Sequence, residues 1–186
     1  SVVIPTLEEE STIENVLTYL INKLVIENKI IDELVVVDGG SKDETISKVL
    51  KLKEIYNDHI MFYSQDKILS DVCTHKGKGE ALWKSLFVTK GDIIIYSDSD
   101  IKNFDERFVV GILGPLLINE NIKFVKGYYN RPLITSKDTR SNEGGRVTEL
   151  CARPLLNVLY PELSGFIQPL GGEYGGFRSV LEGVEY

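Results

Sequence analysis

Two carboxylates, Asp98 and Asp100, stand one residue apart directly after the apolar run Ile93–Tyr96. The run has the composition of a buried strand, and carboxylates at the end of such a strand are costly to leave without a partner. Their oxygen atoms suit Mg²⁺ or Mn²⁺, and such a cation would neutralise a pyrophosphate, which forms half of a nucleotide-sugar. An Asp-x-Asp pattern also occurs in ordinary turns, so both interpretations stay open.

Two further polar clusters, Pro5–Glu10 and Asp38–Asp43, also follow β-branched runs. In open α/β sheets ligands bind beyond the carboxyl ends of the strands, so we expect all three clusters to face one crevice. Each cluster also has a plainer interpretation. Acidic residues are favourable near a helix N-terminus, and glycines with a serine fit a tight turn and a helix cap. The chain lacks the Rossmann glycine pattern after its first strand and has no Walker A loop.

Three glycine-containing segments carry side chains that suit anions or a sugar. Gly77-Lys78-Gly79 places backbone N–H groups and an ammonium where a helix begins. Gly144–Thr148 offers a planar guanidinium that matches a phosphate or carboxylate. Leu170–Tyr174 puts the carboxylate of Glu173 beyond two glycines. Ordinary turns, and an arginine bound to nearby carbonyls, remain alternatives. His59 and His75 are expected at the surface, away from these clusters.

The elements that must position these residues alternate between β-branched runs and amphipathic stretches, a pattern typical of a mostly parallel sheet flanked by helices. The patterns Ser11-x-x-Glu14 and Ser41-x-x-Glu44 predict capping boxes, and 135–145 is expected to be a mobile loop. The predicted strands are 1–5, 33–38, 60–64, 92–97 and 123–129. Two predicted helices begin at the capping boxes, and three more cover 80–89, 104–119 and 146–159.

Length and composition restrict the class of protein. With 186 residues the chain is expected to form one domain over 1–186. It has 21 Lys plus Arg and 28 Asp plus Glu, a net charge of −7, which argues against a nucleic-acid surface. No stretch approaches the roughly 20 apolar residues of a membrane span, and no signal peptide is recognisable. Two cysteines, Cys73 and Cys151, build no disulfide framework and favour a cytoplasmic location. We expect the ends of the chain to be trimmed or disordered.

Taken together and in this order, the segments resemble the GT-A (Rossmann-like) glycosyltransferases, and more narrowly the glucosyl-3-phosphoglycerate synthases. Pro5–Glu10 and Val37–Ser41 are similar to the nucleotide motifs of the wider fold. The narrower resemblance runs over nearly the whole chain and rests on these segments: Gly77–Trp83, Val125–Tyr129, Arg131–Leu133, Gly144–Leu156 and Gln168–Tyr174. It implies a retaining transfer of glucose from UDP-glucose to the 2-hydroxyl of 3-phosphoglycerate by a cytoplasmic homodimer that needs Mg²⁺ or Mn²⁺.

By motif position, the resemblance implies a role for four groups of residues. The donor would be held by Pro5, Thr6, Leu7, Glu9, Asp38, Gly39, Lys78, Asp98 and Ser99. The metal ligand would be Asp100, and the acceptor would be bound by Gly145, Arg146, Val147 and Thr148. The carbonyl of Leu170 and the carboxylate of Glu173 would lie against the transferred sugar as catalytic groups.

Two departures from the family pattern matter. The family completes its metal site with a histidine in a further C-terminal segment that nothing here matches, so we expect either that this segment is missing from the chain or that the metal is weakly held. Gly39 stands where the family usually has serine, which bears on a contact to uracil. Two alternatives stay open: a mannosyl-3-phosphoglycerate synthase that uses GDP-mannose, and a non-catalytic module that only binds nucleotide-sugars.

Overall fold

A six-stranded sheet forms the centre of the computed structural model, which describes residues 1–72, 75, 77–129, 133–134, 139–140 and 145–184. Its order is β3-β2-β1-β4-β8-β5, and β6 and β7 form a separate antiparallel pair. The strands are β1 (Val2–Thr6), β2 (Leu34–Asp38), β3 (Ile60–Ser64), β4 (Ile93–Tyr96), β5 (Phe124–Lys126), β6 (Leu133–Ile134), β7 (Thr139–Arg140) and β8 (Tyr174–Phe177).

Helices connect the strands of the sheet. A π-helical segment, Ile21–Glu27, continues the first helix, and another, Thr148–Ala152, precedes the fifth. Within the described ranges, no helix combines the length and the apolar character needed to cross a membrane. The helices are α1 (Ile13–Leu20), α2 (Thr45–Tyr56), α3 (Lys78–Ser85), α4 (Arg107–Ile118), α5 (Arg153–Leu159) and α6 (Arg178–Leu181).

The chain divides into two compact units. The first consists of residues 1–125 and 174–186, and the second of residues 126–173. In the first unit, β1 pairs in parallel with β2 and β4, and β2 pairs in parallel with β3. Strands β1 and β2 are fully buried, and their alternating side chains enter separate apolar clusters on the two faces of the sheet. The predicted α/β class with a mostly parallel sheet is confirmed.

Both predicted capping boxes are wrong. Helix α1 is preceded by Thr12 rather than Ser11, and no side chain caps it. Before α2, the hydroxyl of Ser41 donates to the carboxylate of Asp38 (2.6 Å), so it is not available to cap the helix. The carboxylate of Asp43 instead accepts the backbone N–H of Thr45 at 3.0 Å. Side-chain contacts to the preceding strand therefore override the local pattern.

Strand β8 was not predicted, because two of its four residues are glycines, which are weak strand formers. It pairs antiparallel with β4. A Cβ added to Gly175 would lie 2.8 Å from Cγ2 of Ile112 and 2.9 Å from the carbonyl oxygen of Ile94. Glycine is therefore needed for the close approach of β8 to β4 and α4.

The predicted mobile loop over 135–145 is only partly described. Thr139 and Arg140 form β7, which pairs with β6, so a loop is the wrong description for these two residues. Gly145 is described as well, whereas 135–138 and 141–144 lie outside the described residues. The predicted strand 123–129 is shorter than expected, with β5 ending at Lys126.

A buried ion pair lies within α3. The ammonium of Lys84, which is fully buried, lies 2.9 Å from Oε1 of Glu80 one turn earlier. It also donates a hydrogen bond of 3.0 Å to the backbone carbonyl of Gln65. Removing one partner of a buried pair leaves the other charge uncompensated. The pair therefore joins α3 to the segment that follows β3.

Replacing Lys84 by methionine is expected to lower the free energy of unfolding by about 3–5 kcal/mol, because the buried carboxylate of Glu80 loses its counter-charge. Adding Glu80→Leu should recover most of that loss. As a matched control, Arg153→Met removes a partly exposed ion pair to Glu149 with the same spacing and should cost about 1 kcal/mol or less. Urea denaturation measures all three variants. A loss below about 1 kcal/mol for Lys84→Met would contradict the prediction.

Candidate functional site

A cavity of about 670 Å³ lies in the first unit, beyond the carboxyl ends of β1, β2, β3 and β4. Its volume is in the range of small-molecule sites. The position agrees with the crevice expected for an open α/β sheet. The residues that line it come from all four strand ends and the start of α3: Pro5, Thr6, Leu7, Glu8, Glu9, Gly39, Gly40, Lys42, Ser64, Gln65, Asp66, His75, Gly77, Lys78, Ala81, Asp98, Ser99 and Asp100.

Asp38, a predicted donor-binding residue, is fully buried and is not among the lining residues. Its Oδ1 accepts hydrogen bonds from the hydroxyls of Thr6 (3.0 Å) and Ser41 (2.6 Å). Its Oδ2 accepts the backbone N–H groups of Gly40 (2.8 Å) and Ser41 (2.9 Å). Asp38 therefore fixes the turn after β2 against the end of β1, and it shapes the cavity wall from behind.

Lys78 stands at the first position of α3 and forms an ion pair with Asp98. Gly77 before it has φ +151°, a conformation that other residues rarely adopt. On the opposite side, the hydroxyl of Ser99 donates to the carbonyl of Pro5 at 3.0 Å. These contacts join the loop after β4 both to α3 and to the end of β1. The ammonium of Lys78 is therefore held at the cavity.

The carboxylate of Glu9 lies near those of Asp98 and Asp100 at the cavity. Burial raises the pKa of Glu9, and the negative charge of Asp100 raises it further, with a smaller effect from Asp98. The part of the shift that comes from these two charges reflects a negative potential, which a cation would relieve. Asp98 already has Lys78 as its partner. Asp100 is exposed, and no described residue donates a hydrogen bond to it.

The carboxylate of Asp100 therefore fits a divalent cation with oxygen ligands. The predicted third ligand, a histidine, is absent from this chain, and no set of three or more His, Cys, Asp or Glu residues suitable for a metal occurs in the part that the structure describes. The residues present thus provide one available carboxylate and a negative environment. They would hold a cation together with a bound diphosphate rather than enclose it alone.

Sequence reasoning missed several lining residues. Ser64 ends β3 and Gln65 and Asp66 follow it, so the strand-end rule that picked out the other clusters would have found them. Lys42 lies within the predicted strand-end cluster Asp38–Asp43 but was given no role. His75 was expected away from the clusters, and this is wrong, because it is exposed at the cavity.

The predicted acceptor-binding residues all lie in the second unit. Gly145 has φ +84° and directly precedes the helical segment. Arg146 and Val147 are exposed, whereas Thr148 is buried. In the described part of the chain the guanidinium of Arg146 donates to no carbonyl or carboxylate. The plainer interpretation of this arginine, as a partner for nearby backbone groups, therefore finds no support there.

Leu170 and Glu173 also belong to the second unit. Leu170 is exposed, while Glu173 is almost completely buried. A Cβ on Gly171 would lie 3.4 Å from Oε2 of Glu173 and 3.7 Å from Nζ of Lys126. Lys126 also donates a hydrogen bond to the carbonyl of Gly171. The turn after Leu170 thus has a buried carboxylate and an ammonium on either side of the same glycine, an arrangement that the sequence alone did not indicate.

The sequence matches the family model described as glycosyl transferase family 2 over residues 1–113. It is 45% identical over 186 residues to the glucosyl-3-phosphoglycerate synthase of Petrotoga mobilis, covering 100% of this chain and 55% of that protein. The chain therefore spans about half the length of the curated relatives that it matches.

Solved structures of two related synthases are similar to the structure of this chain. One is glucosyl-3-phosphoglycerate synthase from Mycobacterium tuberculosis in complex with Mn²⁺, UDP-glucose and phosphoglyceric acid, at 42% identity and a TM-score of 0.79 over 96% of this chain and 56% of that one. The other is mannosyl-3-phosphoglycerate synthase from Rubrobacter xylanophilus, at 36% identity and a TM-score of 0.82 over 96% and 53%.

Proposed function

Because this chain belongs to glycosyl transferase family 2, we propose that it transfers glucose from UDP-glucose to the 2-hydroxyl of 3-phosphoglycerate with retention of configuration. The observation that carries the proposal is the cavity at four strand ends, which collects eight of the nine predicted donor-binding residues together with Asp100. The likeness to a synthase solved with Mn²⁺, UDP-glucose and phosphoglyceric acid supports the choice of substrates.

On the donor side, breaking the bond between the sugar and the diphosphate builds negative charge on the leaving group. Asp100 would hold Mg²⁺ or Mn²⁺, which when bound would neutralise part of that charge. Lys78 would turn its ammonium from Asp98 to the diphosphate and stabilise the rest. The exposed side chain of Leu7 offers an apolar surface for the base.

On the acceptor side, Arg146 would bind the phosphate of 3-phosphoglycerate through a bidentate contact and so orient the acceptor. Gly145, Val147 and Thr148 would complete this site. The carbonyl of Leu170 and the carboxylate of Glu173 would stabilise the positive charge that develops on the sugar. The bond from the anomeric carbon to the diphosphate breaks as a bond to the 2-hydroxyl oxygen forms, and the departing phosphate takes the hydroxyl proton.

A second donor, GDP-mannose, is favoured by one observation, the high TM-score with a mannosyl-3-phosphoglycerate synthase. We expect the full-length protein, given 3-phosphoglycerate and Mn²⁺, to turn over UDP-glucose at least tenfold faster than GDP-mannose. Product formation with each donor measures this. Faster turnover of GDP-mannose would show that GDP-mannose is the donor. Binding of UDP without any transfer would identify a non-catalytic module.

Location and assembly belong to the same proposal. We expect a cytoplasmic protein, in keeping with a substrate pair of small phosphorylated metabolites. We also expect a homodimer, for which sedimentation of the full-length protein gives a direct test.

A further inference from the structure

Gln65 forms part of the cavity wall and has no role in the proposal above. It follows β3, lines the cavity and is only 7% exposed. Its backbone carbonyl accepts a hydrogen bond of 3.0 Å from the buried ammonium of Lys84. Its side-chain Nε2 donates to the backbone carbonyl of His75 at 3.3 Å. Both the backbone and the side chain of Gln65 are therefore held in place.

The bond to His75 decides which way the amide of Gln65 points. A backbone carbonyl can only accept, so the NH₂ group must face His75 and Oε1 must face away from it. Oε1 lies 3.5 Å from the place where a Cβ on Gly39 would stand. Gly39 lines the same cavity and has no side chain to cover this oxygen. Among the described residues, none donates a hydrogen bond to Oε1.

The sheet order places Gln65 far from the charged end of the cavity. Strands β3 and β4 are separated by β2 and β1, and three strand spacings of about 4.8 Å amount to roughly 14 Å. Lys78, Asp98 and Asp100 gather at the β4 side, where a diphosphate would bind. A nucleotide bound with its diphosphate there would direct its base toward β2 and β3. Leu7, with Cδ1 3.7 Å from the same Cβ position on Gly39, provides the apolar surface at that end.

We propose that Gln65 is the residue through which the cavity selects uracil over cytosine. The inference rests on the proposed function, since it requires a uridine nucleotide in the cavity. Uracil carries a hydrogen on N3, so it can donate a hydrogen bond to Oε1 of Gln65. Cytosine carries a lone pair on N3, which would face the lone pairs of Oε1. The amide cannot simply turn over to suit cytosine, because that would bring Oε1 against the carbonyl of His75.

The expected size of the preference for UDP over CDP follows from the cost of leaving a buried polar group without a hydrogen bond. A buried acceptor without a donor costs about as much as a lost hydrogen bond, and sites built around a hydrogen bond reject ligands that lack it. We therefore expect the wild-type protein to bind UDP at least tenfold more tightly than CDP.

Calorimetry with UDP and CDP in the presence of Mn²⁺ tests the proposal on the full-length protein. Gln65→Met keeps the length of the side chain but removes the acceptor, and it should reduce the UDP-to-CDP affinity ratio to about threefold or less. Gln65→Asn withdraws the carbonyl by one methylene and should have the same effect, which keeps the test decisive if the methionine variant does not fold. Gln168→Met, at the only other glutamine of the sequence, should leave the ratio at its wild-type value.

The outcomes separate this inference from the proposed function. If the wild type prefers UDP and a folded Gln65 variant keeps that preference, the role of Gln65 is overturned while the transferase proposal stands. If the wild type binds UDP and CDP equally, both the role of Gln65 and the proposed selection of uracil over cytosine are overturned. If the wild type binds neither nucleotide, both the inference and the proposed function fail.

Discussion

Asp100→Asn is expected to lower the rate of glucosyl transfer by about 10²–10³-fold, the loss typical of removing one group that stabilises transition-state charge. Asp100 is an exposed carboxylate at the cavity, and its charge raises the pKa of the neighbouring Glu9. Asparagine keeps the shape but loses the charge that would attract Mn²⁺. The variant should also lose the strengthening of UDP binding by Mn²⁺, while its affinity for UDP without metal stays close to that of the wild type.

Asp105→Asn provides the matched control. Asp105 lies five residues further along, is paired with Arg107 and does not line the cavity. Its substitution should leave both the transfer rate and the effect of Mn²⁺ within about twofold of the wild type. Steady-state kinetics and calorimetry with and without Mn²⁺ measure these effects. If Asp100→Asn retains the full metal dependence, another group holds the cation and the assignment of Asp100 is wrong.

The central strands of the sheet could be predicted from sequence because they are buried on both faces. Strands β1 and β2 read as continuous apolar runs, the pattern expected of a parallel sheet covered by helices. The predicted strand over 60–64 coincides with β3. The buried residues of α1 recur at helical spacing in the sequence as well: Ile13, Val16, Leu17 and Leu20. Which residues of a strand or helix are buried follows from the local pattern of apolar residues, and it can be predicted without knowing long-range contacts.

Several wrong predictions depend on contacts between distant parts of the chain. The hydroxyl of Ser41 accepts the backbone N–H of Glu8, 33 residues earlier, and donates to the nearby Asp38 rather than capping a helix. Strand β8 exists because Gly175 lets it approach β4 and α4, although two of its four residues are glycines, which are weak strand formers. His75 reaches the cavity through the fold of the segment after β3. No local pattern encodes these contacts.

The predicted site residues separate along the chain in a way that the fold makes clear. Every predicted donor and metal residue lies in the first unit, and every predicted acceptor and catalytic residue lies in the second. The strand-end rule explains why the first group could be placed from sequence, since a parallel sheet fixes where its loops meet. The described part of the second unit contains no parallel sheet, so nothing in the pattern indicates where its residues meet. The roles of the residues in both units were assigned through the family resemblance, and they stay predictions.

Arg146→Ala is expected to raise the Michaelis constant for 3-phosphoglycerate about a hundredfold or more. Arg146 is exposed, directly follows Gly145 with φ +84°, and has no partner among the described residues. Its guanidinium is therefore available for a bidentate contact with the acceptor phosphate. Two charge-assisted hydrogen bonds, each worth about 1.5–3 kcal/mol, correspond to at least two factors of ten. The Michaelis constant for UDP-glucose should stay within about threefold.

Arg153→Ala tests whether this effect belongs to the position rather than to the loss of any arginine from the helical segment. Arg153 lies seven residues later and is already paired with Glu149. Because its charge is compensated within the segment, its loss should change neither Michaelis constant by more than about twofold. Initial rates over a range of each substrate distinguish the two variants. If Arg146→Ala weakens both substrates equally, the arginine acts on the structure as a whole, and the acceptor site must be sought among other residues of the second unit.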